Sequence, residues 1–318
     1  MSEEILQIDE NFTIDESIER YEVHEYSPVS GTTNLNSGGE IRIVIESQDL
    51  FTHPSESYLI IEGRLMKTDN TSFDNTDVIT MCNNGIMHMF QNIKYELSGQ
   101  EIESINYPGQ STTMLGVLKY SDDFMKTHGL NMMCYRDFNT GAADLKINEG
   151  FRIRHNLLIE EPDSKGSFSF RIPLKHIFGF AEDYNKIVYG FKHQLTLNRK
   201  SDDDAIFKKA DTPDGQIILN KLSWYVPHVD PTFEQKNKLY NIIESKATLN
   251  VGYRGRQCDT ISVPQTTNFS WRLAVKSSSE SPRWIIIAFQ TDRTSDQDKN
   301  ASVFDHIDLK KYLCNFKF

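Results

Sequence analysis

The sequence predicts an all-β chain built of antiparallel sandwiches with a few short inserted helices. Three observations carry this. Apolar residues recur at every second position through much of the chain, as in strands buried on one face. The strand patterns are short and are separated by Gly, Pro, Asn, Asp and Ser turn signals. Nothing alternates strand and helix in the regular way that builds parallel βαβ sheets.

Taken in order, residues 1–39 are acidic and then rich in Gly, Ser and Asn, and are expected to form a flexible N-terminal arm. In EIRIVI (40–45), Ile41, Ile43 and Ile45 alternate with Arg42 and Val44, a half-buried strand. PSESYLIIEGRL (54–65) reads as a second strand. HMFQNIKYELSGQEIESI (88–105) reads as a hairpin turning at Ser98-Gly99-Gln100, with Ile93, Tyr95 and Leu97 on one face. STTMLGVLKYS (111–121) suits a short helix, because Met114, Leu115 and Leu118 cluster at helical spacing. A polar connection follows (121–150). Strands are then expected in FRIRHNLLIEE (151–161), SFSFRIPL (167–174) and KIVYGFKHQLTLNR (186–199), with a helical turn in KHIFGFAED. The hydrophilic run 201–215 ends in a Pro-Asp-Gly turn and marks the expected boundary between a first sandwich (40–200) and a second (216–318). Beyond it, QIILNKLSWYVPHV (216–229) reads as a long strand. A helix then starts at Asp230-Pro231 and carries Leu239, Ile242 and Ile243 on one stripe. Further strands are expected at 247–255, 266–277 and 282–293, with loops at 277–281 and 295–300.

The 318 residues correspond to about two domains of ~150. The formal charge of −11 excludes a basic protein that coats nucleic acid, so no sequence-specific nucleic-acid binding is expected. The longest apolar run, Trp284 to Phe289, is the length of a strand, and the acidic start MSEEILQIDENF lacks the features of a secretory signal. An intracellular or virion location, with no membrane contact, is the expectation. Cys82, Cys134, Cys258 and Cys314 lie too far apart for a CxxC metal or redox motif. GTTNLNSGG (31–39) lacks the Lys-Ser/Thr of a phosphate loop, and Gly252 and Gly255 in VGYRGR cannot satisfy GxGxxG. HExxH, GxSxG and HxH are absent. Asp122-Asp123, Asp202-Asp203-Asp204 and Lys208-Lys209 read as solvated charge. No catalytic, cofactor or metal residues are nominated, and an enzyme is not expected.

Several strings resemble a known family: YEVHEYSP (21–28), PSESYLIIEGRL (54–65), FQNIKYELSGQEIE (90–103) and PGQSTTMLGVLKY (108–120). So do FRIPLKHIFGFAEDYNKIVYGFKHQLTLNR (170–199), LSWYVPHV (222–229), PQTTNFSWRLAVK (264–276), PRWIIIAFQTDR (282–293) and FDHIDL (304–309). The chain resembles the double jelly-roll domain proteins of invertebrate genomes and virus-like elements, which are similar to the double jelly-roll major capsid proteins of large DNA viruses and Polinton/Maverick elements. The resemblance implies two tandem jelly rolls, each an eight-stranded sandwich. It also implies a non-catalytic virion or capsid-derived structural protein that self-assembles as a homotrimer. Seven strand candidates fill the first roll and four or five the second, so the second is expected to be incomplete and truncated, with an unpaired edge and poor solubility. Trp224, Trp271 and Trp284 sit on expected strands as core or interface anchors. Loops 66–87, 121–150 and 200–215 are the expected contact insertions. Two rival readings stay open. A carbohydrate-binding sandwich would use an exposed row such as Tyr58, Tyr95 and Tyr189, and a metal-dependent jelly-roll enzyme would need convergent His and carboxylates.

Overall fold

A computed structural model describes residues 17–31, 35–36, 38–46, 49–137, 141–160, 165–266, 268–272 and 282–308. The strands are β1 (Ile18–Tyr26), β2 (Glu40–Ile45), β3 (Phe51–Thr52), β4 (Tyr58–Lys67), β5 (Ile79–Met81), β6 (Phe90–Leu97) and β7 (Gln100–Asn106). They continue with β8 (Ser167–Pro173), β9 (Val188–Tyr189), β10 (His193–Arg199), β11 (Ile206–Lys208) and β12 (Gly215–Pro231). Short helices lie between them: α1 (Gly85–His88), α2 (Pro108–Lys119), α3 (Asp122–Lys126), α4 (Glu149–His155), α5 (Leu174–Ile177) and α6 (Gly179–Asp183). A last helix, α7 (Phe233–Glu244), follows β12.

Every strand pair is antiparallel. One sheet runs β8-β4-β12-β3-β9, with β1 also paired to β12; a second runs β2-β10-β6-β7; β5 and β11 form a small third. The period-two pattern explains the core between the two large sheets. Ile41, Ile43 and Ile45 of β2, Leu59, Ile61 and Leu65 of β4, Ile93 and Tyr95 of β6, and Leu195 and Leu197 of β10 are all buried in one apolar cluster. β12 keeps its apolar face inward over its whole length because its register slips between Leu219 and Lys221. Ile217 and Leu219 before the bulge, and Leu222, Trp224 and Val226 after it, all reach the core. Gly63 occupies a core-facing position of β4 where a Cβ would lie 2.8 Å from the Phe168 ring and 2.5 Å from the Ile218 carbonyl oxygen. The β6–β7 hairpin turns at Ser98 and Gly99, both at positive φ (47° and 82°), as a tight hairpin loop requires.

Most expected elements appear where the patterns place them, and others need correction, beginning with the helix expected from Asp230-Pro231: those residues end β12, and α7 starts at Phe233. Residues 151–161 are not a strand: α4 passes into a π-helical turn (Asn156–Glu160), capped by Asn148, whose side chain accepts from Phe151 N. Phe151, Arg154, His155, Leu158 and Ile159 form a buried stripe at i, i+3, i+4, i+7 and i+8, and two of its members are polar. Within the expected arm, Ile18–Tyr26 is strand β1, paired with β12 from Tyr26↔Trp224 to Ile18↔Pro231; residues 1–16 lie outside the described residues. The expected boundary at 201–215 falls inside the sandwich. β11 lies within it, and β12 pairs with β4 from Gly215↔Lys67 to Tyr225↔Tyr58, so the strand that should open a second sandwich is a central strand of the first. Asp204 and Lys208, expected to be solvated, are buried, and Asp202 and Asp203 are half-buried. Asp202 accepts from Arg199 (2.7 Å) and from Ile217 N (2.8 Å), and Lys208 is buried against Asp298 (2.6 Å). Finally, described residues of 247–255, 266–277 and 282–293 lie in neither helix nor strand, and 273–281 lie outside the described residues. Part of their backbone hydrogen bonding goes to carboxylates instead of a ladder: Arg254 N to Asp183 and Thr291 N to Asp305. The terminal string KKYLCNFKF, with Cys314, lies outside the described residues.

Candidate interaction surface

The three tryptophans separate. Trp224 is fully buried between the sheets, with the Tyr95 ring edge-on at 6.1 Å and His193 at 6.3 Å. Trp271 and Trp284 lie outside strands and are 37% and 75% exposed. In the same stretch of sequence Leu249, Val251, Ile261, Phe269, Ile286 and Ile287 are also exposed, and α7 adds Phe233, Ile242 and Ile243. The stretch after β12 therefore turns a large share of its apolar side chains outward.

Two polar joints fasten this stretch to the sandwich. At the first, Glu103 of β7 points inward and is 5% exposed. Its carboxylate accepts from Gly179 N (3.1 Å) and Phe180 N (2.9 Å) at the start of α6, and from Arg256 N (2.7 Å). Burial raises its pKa against the pull of those three N–H donors. The Arg256 guanidinium donates to the carbonyls of His176 (2.7 Å), Ile177 (2.8 Å) and Lys175 (3.3 Å) and pairs with Glu182. Arg254 forks onto Asp183 (2.9 and 2.5 Å), whose carboxyl it holds below the usual range. Tyr253 donates to Ile102 O (2.7 Å) and meets the Phe180 ring edge-on at 5.3 Å. Gly179 is glycine because a side chain there would run into the Arg254 carbonyl oxygen. At the second joint, Gln297 exchanges hydrogen bonds with Gly215 (N–H to Oε1 2.8 Å, Nε2 to O 2.9 Å) and donates to Asp203 (3.0 Å). Asn300 donates to Asp137 (2.5 Å), which also pairs with the fully buried Arg154 (2.7 Å). The expected loop 295–300 is thus a fastening.

A separate polar cluster has the residue types of nucleophilic chemistry. Around a cavity of about 20 Å³, Asn84 Oδ1 accepts from Cys134 Sγ (3.4 Å) and from His176 Nε2 (3.3 Å). Because Nε2 faces an acceptor, it carries the proton, and His176 Nδ1 accepts from Tyr120 OH (2.8 Å). Asn84 Nδ2 donates to Thr112 (2.6 Å) and Thr113 (3.1 Å). Burial pushes the Cys134 thiol up to about 12 and the His176 imidazole down to about 3. Both are neutral at physiological pH, and the amide takes a bond from each. This pins α2 and α5 to the α1 turn; it does not activate a thiolate.

The sugar-binding trio is not a row. Tyr95 is buried, Tyr58 stacks on Tyr225 (5.3 Å) beneath Arg171 (3.8 Å), and Tyr189 stacks on Phe51 (4.4 Å). Among the described residues, no group of three or more His, Cys, Asp or Glu is placed to hold a metal ion, and no helix is long and apolar enough to cross a membrane.

A sandwich of antiparallel sheets with a fastened stretch after it defines the class: a jelly-roll-like β protein. The chain belongs to the double jelly roll-like domain family, whose model matches residues 79–317. Among solved structures, it is similar to the Faustovirus major capsid protein (11% identity, TM-score 0.46, covering 74% of this chain and 58% of that one). It is also similar to the mavirus major capsid protein (11%, 0.43, 74% and 51%) and to a chain of the Sputnik virophage (8%, 0.46, 73% and 52%). The chain spans about half the length of these structures. A search of the curated proteins finds no match.

Proposed function

We propose that this chain is a capsid-like structural protein that self-associates through its jelly-roll surfaces, as a homotrimer or larger assembly. It works without a cofactor, either in a virion or as a capsid-derived protein inside its host's cells. The observation that carries the reading is the exposed apolar set from Leu249 to Ile287, with Trp284 at its most exposed point, on a member of the double jelly roll-like family. Permanent assemblies bury about 2,000 Å² or more per interface and use aromatic anchors, and Trp271 and Trp284 are residues of that kind. In domain terms, residues 18–231 make up one roll and the stretch beyond α7 belongs to the second. Mass photometry of the purified chain, with electron microscopy of the heaviest fraction, tests the reading. Trimers and regular arrays are expected; a uniform monomer at high concentration would overturn it.

A further inference from the structure

The joint at Glu103 is a receptor site with its ligand seated in it. Its floor is a carboxylate buried on β7, its walls are Glu182 and Asp183 and the free carbonyls at the end of α5, and Gly179 leaves room for the incoming backbone. The peptide seated in it is Tyr253-Arg254-Gly255-Arg256, held at three of its four positions: one hydroxyl, two guanidinium groups and two backbone N–H groups, Arg254 N (2.8 Å) and Arg256 N (2.7 Å). Cys258, just beyond, is buried, and its thiol is pushed up to about 11.

On both sides the chain leaves the site. Residues 247–252 and 259–266 are exposed and outside any helix or strand. Ser245 to Gly252, eight residues between α7 and the peptide, can reach about 28 Å when extended. Charge also favours the docking of this stretch on a sandwich. Residues 245–293 carry seven Lys and Arg against three Asp and Glu, a net +4, in a chain of −11, so the remainder carries −15.

We infer that the Glu103 site is a joint between copies: the Tyr253–Arg256 peptide of one chain fills the site of a second copy. The exchange swaps identical contacts, so the joint loses none of its hydrogen bonds, and the exposed linker supplies the reach. This rests on the self-assembly reading and names one contact that would hold it. The exchanged peptide also carries Phe269, Trp271 and Trp284, which follow it in the chain, onto the neighbouring sandwich.

The test pairs a competitor with a double substitution, both on the full chain. A synthetic peptide of residues 247–260 is titrated into the assembled wild-type protein, followed by light scattering, and Arg254→Ala/Arg256→Ala is measured alongside it. The peptide is expected to lower the assembly mass in proportion to its concentration. The double substitution, which removes two carboxylate-paired guanidinium groups, is expected to weaken assembly at least about thirtyfold. If the wild type assembles and neither the peptide nor the substitution changes its mass, the exchange is wrong and self-assembly stands on other contacts. A wild type that is monomeric at every concentration overturns both readings, whether or not it binds the peptide. The peptide arm needs no variant to fold.

Discussion

The buried tryptophan and the exposed one make opposite predictions. Trp224 lies at the centre of the core, beside Tyr95 and His193. Trp224→Ala should cost about 3–5 kcal/mol of stability in denaturant titration, the usual range for emptying a large aromatic site. Trp284→Ala should leave the unfolding free energy within about 0.5 kcal/mol, as a surface change does, while lowering the tendency to associate. A third residue reports packing: Gly63→Ala should destabilise by about 1–3 kcal/mol, because its methyl meets the Phe168 ring and the Ile218 carbonyl. The residue scale was partly legible. Ile41, Ile43, Ile45 and Ile93 announce their burial by alternation with polar neighbours. Glu103, Arg154 and Asp202 do not, because a buried charge looks like a solvated one until its partners are known: Glu103 meets Arg256 at a separation of 153 residues, while Arg154 and Asp202 pair with Asp137 and Arg199 at separations of 17 and 3.

At the scale of elements, the hairpin was readable because Ser98-Gly99 can take the positive φ its turn needs, and α2 was readable as a helix from the spacing of Met114, Leu115 and Leu118, although Leu118 is exposed and the helix buries Gln110 to Thr113 instead. Strand β1 was not readable: both of its faces are largely exposed, so it has no buried side to produce alternation, and it exists by pairing with β12. Helix α4 was missed because Arg154 and His155 fill two inward positions of its stripe. The stretch after α7 shows the reverse failure, since its alternating residues satisfy the strand pattern but, among the described residues, pair with no strand. The pair of arginines around Gly255 in an acidic chain was the one available signal for the joint. Glu103→Ala should leave the N–H groups of Gly179, Phe180 and Arg256 without their acceptor. Hydrogen exchange should then quicken at these three amides and spare those of β6 and β10, and uniform protection across the chain would count against the joint.

For the whole molecule, four histidines set the response to acid. Burial holds His88 and His176 down to about 3 and His193 and His228 down to about 4, against 6.5 in the unfolded chain. Their folded pKa values are depressed, so the unfolded chain binds more protons below pH 6.5, and stability falls as pH drops from about 6.5 toward 4. Glu103 and Asp202, whose carboxyls burial raises, act in the opposite sense, two groups against four. The melting temperature should therefore be flat between pH 7 and 8 and drop steeply between pH 6 and 4.5; a melting temperature that rises on acidification would contradict the burial of these rings. The acidic total of −11 works against phosphate binding and against contact between copies alike, and the basic stretch 245–293, at +4, is the part of the chain that can face an acidic neighbour.

The central claim is self-association through the surface beyond β12, and the most direct measurement is a sedimentation-velocity series on the wild type from low to high micromolar concentration, with Trp284→Ala run in parallel. The sedimentation coefficient is expected to climb from monomer to trimer or beyond in the wild type and to lag in the variant. A single monomeric boundary at every concentration, identical for both chains, would contradict it.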